Sequence, residues 1–393
     1  MFRPTVAVLR IFLAGHVARP RDAMLMLAGF MIATATLGLL LAVPAGIDGI
    51  AARTGDDRIA LVLSAQARSE VESRLPAGTA GLVAALPQVA RDASGRALVA
   101  PQFIANTKLT RADGMRSTVQ LRGVDDSTWA LLATVDAVPA GVAPPGVREL
   151  LVGAMAAPAY RELQDDAPTL LLRQSSLALR HGLVAGGGLW ESELWADLAT
   201  LQAAFNAPGQ VSALWIRLTD AAAFEAFAAA VRADPRLAGL RVVPQDAYHA
   251  NQVAFVSHLV RVAAAGIALL LGAGAALVIA NALDTALRRR RRETGTLRAL
   301  GFPAPAIALA VLLEVAAIGL LATALALAAM VLLVDGHAFG TSAGSLAVQA
   351  PLAITPALAL TVGGYSLALG LASALLPTWR LAGSRLIDSL RCE

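Results

Sequence analysis

Four long stretches of this chain are almost free of charge, and between the first and second lies a segment in which short apolar runs alternate with turn residues. From Asp22 to Asp48 the chain runs for 25 consecutive residues without a formal charge, including the run from Met24 to Val43. At about 1.5 Å rise per residue such a stretch forms a helix able to cross a hydrocarbon layer of about 30 Å. The same holds for Val262 to Leu283, for Ala304 to Val334 with Glu314 as its one interruption, and for Pro351 to Pro377. Four membrane-spanning helices are predicted. A cleavable signal peptide is the rival for the first, since Arg3, Arg10, Arg19 and Arg21 precede it and Ala42-Val43-Pro44-Ala45 offers small residues. The apolar core is longer than a signal segment, and Thr5 to Ala18 forms a partly amphipathic approach, so an uncleaved anchor fits better.

Residues 48–255 have a different texture. Arg58 to Leu63, Ala97 to Phe103, Ser117 to Val124, Thr169 to Leu172 and Val211 to Leu218 are β-rich apolar runs bounded by turn residues. After Leu218, Thr219-Asp220 starts a helix with Phe224, Phe227 and Val231 on one face; Asp234-Pro235 stops it, and Leu240 to Val243 follows as a strand. This predicts a β-α-β unit. Pro139 to Gly146 is a candidate linker within the insert. Gly186-Gly187-Gly188 lacks a following Lys-Ser/Thr and is read as a turn. Trp190, Trp195, Phe205 and Trp215 suit either a core or a ligand groove, core being the simpler reading, and Glu191 and Glu193 are expected on the solvated surface.

Arginine placement sets the orientation. Four arginines precede the first span, Arg288, Arg289, Arg290, Arg291, Arg292 and Arg298 lie between the second and third, and Arg380, Arg385 and Arg391 follow the fourth. The segment Asp335 to Ala350 has no Arg or Lys. Short positive loops stay cytoplasmic, so both termini and the arginine loop are expected inside and residues 48–255 outside. Composition agrees with a membrane protein: 57% of residues are hydrophobic, 15% are charged, and the mean hydropathy is +0.64. The insert carries 18 basic and 21 acidic residues, a net of −3, which leaves +7 of the overall +4 to the rest. Apart from Lys108 every basic residue is an arginine, and the single cysteine, Cys392, has no partner for an internal disulfide.

Signals for catalysis are missing. A phosphate loop needs glycines leading into Lys-Ser/Thr, and Lys108 sits in Asn106-Thr107-Lys108-Leu109 instead. His16, His181, His249, His258 and His337 are scattered, and no nucleophile motif appears. The chain is therefore expected not to be an enzyme and to hold no metal or cofactor. A nucleic-acid surface is not expected either, because the arginine run lacks aromatic company. Glu314 stands apart: a carboxylate inside an apolar helix is costly and faces protein or water, either in helix packing or, less simply, in a proton or substrate role.

Residues Asp284 to Leu300 predict a short cytoplasmic helix, closed by Gly301-Phe302-Pro303. The bland reading is a loop anchored on anionic lipid; the sharper is a docking helix for a cytoplasmic partner. The run Arg-Arg-Arg-Glu-Thr-Gly-Thr-Leu-Arg-Ala-Leu-Gly-Phe at 290–302 resembles the signature after the second span of MacB/FtsX-type (type VII) ABC transporter permeases. Leu376-Pro377-Thr378-Trp379-Arg380 with Asp388-Ser389-Leu390-Arg391 is similar to the family's ending, and Leu121-Arg122-Gly123-Val124-Asp125, Leu151-Val152-Gly153 and the stretch from Val211 are similar to its extracytoplasmic domain. Thr294 departs from the family's usual aliphatic residue, and residues 48–120 match loosely.

The resemblance implies an α-helical integral membrane protein with four transmembrane helices plus a large α/β extracytoplasmic domain inserted between helices 1 and 2. Its expected segments are a cytoplasmic amphipathic segment 1–22, spans at 23–47, 256–283, 304–334 and 351–377, the periplasmic domain 48–255, a coupling helix within 284–303, a short outside loop 335–350 and a cytoplasmic tail 378–393. In the family, residues matching Arg288, Arg289, Arg290, Arg291, Arg292, Glu293, Thr294, Gly295, Arg298 and Gly301 sit on a nucleotide-binding subunit that supplies ATP and magnesium. Partners would be an ABC ATPase, a second permease copy or paralogue, membrane lipid and a periplasmic adaptor, in the inner membrane of a bacterium. Gly363, Gly364 and Gly370 would permit close helix approach. The implied role is mechanotransmission, for export or extraction of a peptide, antibiotic, siderophore, lipid or lipoprotein; the alternative is a non-transporting regulator that relays ATPase activity to an extracytoplasmic partner such as a cell-wall hydrolase.

Overall fold

The computed structural model describes Thr5 and residues 20–135, 142–164, 169–173, 175–183, 188–343 and 346–383, with backbone only at 20–22, 181–183, 291–292, 338–339, 341–343, 346–348, 376 and 380–383. Most of the amphipathic N-terminal segment, Pro139 to Gly141, Gly186-Gly187 and the tail from Ser384 lie outside the described residues. The chain divides into two units, Met1–Ala45 with His258–His337 and Leu352–Glu393, and Gly46–Ser257 with Ala338–Pro351.

The second unit is built on a nine-stranded sheet. Its strands are β1 (Ile59–Ser64), β2 (Val99–Thr110), β3 (Arg116–Val124), β4 (Glu149–Gly153), β5 (Thr169–Leu172), β6 (Ser175–Leu183), β7 (Leu194–Asp197), β8 (Ala213–Arg217) and β9 (Leu240–Pro244), in the order β5-β6-β4-β7-β3-β2-β8-β1-β9. Strand β1 shows why an uninterrupted apolar run suits a central position. Ile59, Leu61 and Leu63 enter one buried cluster with Trp195 and Trp215, while Ala60 and Val62 enter another with Phe227 and Val231. Both faces of the strand are covered, so no polar alternation is needed.

The long helix α1 (Pro20–Ala51) precedes the sheet, and short helices lie between its strands: α2 is Thr79–Ala84, α3 is Asp126–Ala133, α4 is Leu198–Ala204 and α5 is Phe224–Ala233. The expected β-α-β unit is present as β8, α5 and β9, started by the Asp220 carboxylate accepting the Ala223 N–H at 2.8 Å. It is split, because β1 lies between β8 and β9 and pairs antiparallel with both. Strands β4 and β7 and helices α2, α3 and α4 were not among the predicted elements. Nor is 335–350 a plain loop: β10 (Ala338–Ala343) and β11 (Leu346–Pro351) form an antiparallel hairpin within the sheet unit, where the Gln349 N–H donates to Ser192 Oγ at 2.9 Å.

The first unit is helical. Helices α1, α6 (Gln245–Arg289), α8 (Ala304–Leu333) and α9 (Pro356–Gly383) are each long and apolar enough to cross a membrane. Their common core is made by Met26 and Phe30 of α1, Ile279 and Leu283 of α6, Val311 and Val315 of α8 and Leu369 of α9. Many of their other leucines are exposed, as lipid-facing residues are. Helix α6 begins well before its apolar stretch, at Gln245, because no proline or glycine interrupts the sequence from Gln245 to Arg261.

Candidate functional site: the arginine elbow and the buried triad

The segment expected to be one helix from Asp284 is two. Helix α6 carries on to Arg289, Arg290 leaves helical geometry at φ −92° and ψ 11°, and α7 runs over Arg291–Ala299. Helix α7 ends as the sequence predicts. Gly301 takes φ 92°, its N–H donates to the Arg298 carbonyl at 3.1 Å, and the Phe302 N–H reaches back to the Leu297 carbonyl at 3.1 Å. That is a Schellman cap, which a side chain at position 301 would strain. Pro303 then starts α8 from an extended conformation.

Arg290 faces inward. Its Nη1 donates to Glu314 Oε1 at 3.0 Å, and both side chains are buried. The sequence reading placed Arg290 among exposed docking residues and left Glu314 in search of a partner; the structure joins them, so Arg290 ties the elbow to α8. Thr294 is buried as well, its hydroxyl and N–H both donating to the Arg290 carbonyl. Leu297 packs in the helical core. The opposite face of α7, Glu293, Thr296 and Leu300, is exposed, with spacings of three and four that put them on one stripe, and Arg289, before the break, is exposed as well. Arg288 pairs with Asp284 one turn earlier at 2.7 Å. Of Arg291 and Arg292 only the backbone is described.

The small residues expected at helix crossings separate into two groups. A Cβ at Gly370 would touch Phe30 and Val315 at 3.4 Å, whereas a Cβ at Gly363 or Gly364 would meet nothing within 4 Å among the described residues. A close approach of α8 to α9 and α1 falls at Gly319, which the sequence reading missed: a Cβ there would stand 3.0 Å from Ser366 Oγ and 3.1 Å from the Phe30 ring.

The sheet unit holds a second concentration of charge. Arg122 of β3 is fully buried between Glu70 and Glu193. Its Nη1 and Nη2 donate to Glu70 at 3.1 and 2.9 Å, and its Nε and Nη2 donate to Glu193 at 2.7 and 2.9 Å, two forked ion pairs on one guanidinium. Trp195 Nε1 donates to Glu193, Trp215 Nε1 to Glu70, and the guanidinium lies 4.9 Å from the centre of the Trp215 ring. Glu191 and Glu193 are thus not solvated, contrary to expectation. Their turn is pressed against β4, where the Glu191 carbonyl accepts the Met155 and Ala156 N–H groups and Gly153 leaves no room for a Cβ. Trp190, Trp195 and Trp215 are core residues, as the simpler reading had it.

One arginine cannot neutralise two buried carboxylates. Burial pushes Glu193 up, and the charge of Glu70 adds to that against the attraction of Arg122, so its carboxyl stands above the usual range. Burial works on Glu70 too, but Arg122, aided by His249 and Trp215, holds it below the usual range. Burial weakens Arg122 as an acid-base group less than the two carboxylates strengthen it, and it stays charged. His249, in the part of α6 that belongs to the sheet unit, packs edge-on against Trp190; burial, with Arg122 adding and Glu70 opposing, lowers it to about 4. Among the described residues no group of three or more His, Cys, Asp or Glu is arranged to hold a metal.

Comparison with known proteins bears on the elbow and the helices that follow it. Residues 265–385 match the FtsX-like permease C-terminal family. Among solved structures, the chain is similar to the periplasmic region of MacB from Actinobacillus actinomycetemcomitans, at 10% identity and a TM-score of 0.34, covering 50% of this chain and 92% of that one. It is also similar to the extracellular domain of the noncanonic ABC-type transporter YknZ from Gram-positive bacteria, at 11% identity and a TM-score of 0.30, covering 47% and 99%. No curated protein sequence matches the chain. Residues 265–385, from α6 through α9, are thus an FtsX-like permease C-terminal domain.

Proposed function

We propose that this chain is the membrane-spanning subunit of an ABC transporter and that a separate ATPase, docked on the exposed stripe of the elbow, drives shape changes in the sheet domain. The supporting observation is α6: one unbroken helix of 45 residues that starts in the sheet unit and ends at the elbow. A continuous helix transmits displacement along its axis without dissipating it in a hinge. The chain also passes between the units at four places, so all four long helices join the sheet unit directly or through the hairpin. Energy enters from the partner's ATP hydrolysis, because permeases of this family work with ABC ATPase partners. Arg290 and Glu314 keep the elbow in register with α8 while Glu293, Thr296 and Leu300 meet the ATPase.

In this reading the two termini and the elbow are cytoplasmic, the sheet unit is outside the inner membrane, and Gly363 and Gly364 with exposed Leu360, Leu367 and Leu371 face a second permease copy. The cargo is taken or released at the sheet domain for export or extraction. The test is co-purification of the detergent-solubilised chain with its co-expressed ATPase. The double substitution E293R/L300E should remove the ATPase while leaving thermal unfolding of the permease unchanged; full retention of the ATPase overturns the docking. Single cysteines at Thr296 and Asp113 in a C392S background should label from opposite sides of the membrane, and labelling from one side overturns the orientation.

A further inference from the structure

Strands β5 and β6 are joined by a two-residue turn, since Leu172 pairs with Ser175. Such turns need positive φ and favour Asn, Asp or Gly. Here the first turn residue is Arg173, at φ 53°. A long side chain held in the left-handed region at a turn is a local choice made against propensity, and choices of that kind concentrate at ligand clamps.

The guanidinium of Arg173 is placed with some care. Its Cζ lies 4.6 Å from the centre of the Phe205 ring, and Phe205, the residue that closes α4, is in turn held edge-on by Phe103 at 6.2 Å. Arg173 and Phe205 form one wall of a cleft of about 320 Å³. The remaining walls are Asn106, Thr107 and Lys108 of β2 and Thr118 of β3, Lys108 and Thr118 being cross-strand partners. Among the described residues no carboxylate lines the cleft, and neither Lys108 nor Arg173 forms an ion pair.

Two cations sharing a concavity without a counter-charge are complementary to an anion. An aromatic wall beside them adds room for an apolar body, and stacking on Phe205 leaves the edge of the guanidinium, with its forked donors, for a carboxylate. The volume falls within the range of small-molecule sites, roughly 300 to 1,000 Å³. We propose that the cleft formed by Arg173, Phe205, Lys108, Thr107 and Thr118 binds a carboxylate joined to an apolar or aromatic group. The source is a free organic acid or the C-terminus of a peptide. This site stands on the sheet unit alone and does not depend on the ATP-driven reading.

The test uses the full-length chain in detergent and calorimetric titration with three probes: N-acetylphenylalanine for a peptide end, 3-phenylpropionate for a free acid, and inorganic phosphate. At least one of the two acids binds saturably, and whichever binds more tightly identifies the source. R173N puts a residue favoured in this turn at position 173, so it should unfold at the same or a higher temperature while acid binding weakens about tenfold or more, as loss of a charge-assisted hydrogen bond requires. K108Q and F205L weaken it too. The proposal is overturned if neither acid binds, if N-acetylphenylalanine amide binds as tightly as the acid, if phosphate binds more tightly than both acids, or if R173N binds like the wild type.

Discussion

Arg290 Nη1 stands 3.0 Å from Glu314 Oε1 with both side chains buried, so a buried ion pair joins the bend between α6 and α7 to the interior of α8. Removing one member of a buried pair costs about 3 to 5 kcal/mol, because the other keeps its desolvation penalty, while replacing both with apolar residues of similar size is far milder. E314A should therefore lower the thermal midpoint of the solubilised protein strongly, and R290M/E314M should recover much of the loss. A double variant no more stable than E314A would remove the pair from the account of the elbow.

The buried triad predicts an inequality between its two carboxylates. Glu70 is held below the usual range and Glu193 above it, so at neutral pH the folded state gains from the charge on Glu70 and suffers from the charge on Glu193. E70Q should accordingly destabilise the protein more than E193Q, measured as thermal midpoints at pH 7. R122M, which strands two buried carboxylates, should be worse than either, with a cost of about 3 to 5 kcal/mol or more. An E193Q midpoint below that of E70Q would reverse the assignment of strain within the triad.

How much of this was legible in the sequence depended on how each residue announces its surroundings. The long charge-free stretches give the four helices directly, because charge exclusion over some twenty residues has few other causes. The Gly301 cap and Asp220 start were equally plain, being local chemistry. Strands β4 and β7 are only five and four residues long, and β7 follows Glu191 and Glu193, which look solvated when read alone. What could have corrected that is their setting in Leu-Trp-Glu-Ser-Glu-Leu-Trp, since the leucine and tryptophan on each side are residue types that are mostly buried. Arg122 hid in a similar way: in a strand with Val119 and Leu121 on one face, it sits on the face expected to be wet, and only the sheet's double covering shows otherwise. The partnership of Arg290 with Glu314 spans 24 positions and depends on the break at Arg290, which no proline or glycine marks.

His249 gives the sheet domain an acid limit. Its folded value of about 4 lies below the ordinary value of 6.5, so protons bind the unfolded chain more tightly. The stabilisation from keeping it neutral is complete above about pH 6.5 and is lost as pH falls toward 4, on the order of 3 kcal/mol in all. Glu193 runs the other way: with its folded value raised, its contribution is complete below its unfolded value of 4.5 and falls as pH rises, so it does not produce this acid limb. Thermal midpoints should decline between pH 6.5 and 4.5 in the wild type and decline less in H249Q. Parallel curves for the two proteins would show that the imidazole is not the group being titrated.

Gly319 and Gly363 make a matched pair for separating packing within one chain from packing between chains. At Gly319 the α8 backbone is so close to α9 and α1 that a Cβ would crowd Ser366 Oγ and Phe30, and a branched side chain must push the helices apart. Overpacking of this kind costs about 1 to 3 kcal/mol. At Gly363 a Cβ would meet nothing within 4 Å among the described residues. G319V should lower the thermal midpoint of the protein whatever its assembly state. G363V should leave it unchanged in monodisperse single chains yet weaken self-association, measured by crosslinking or by mass in detergent, if that face of α9 meets a second copy. A G363V protein that is as destabilised as G319V would instead place another part of the same chain against α9.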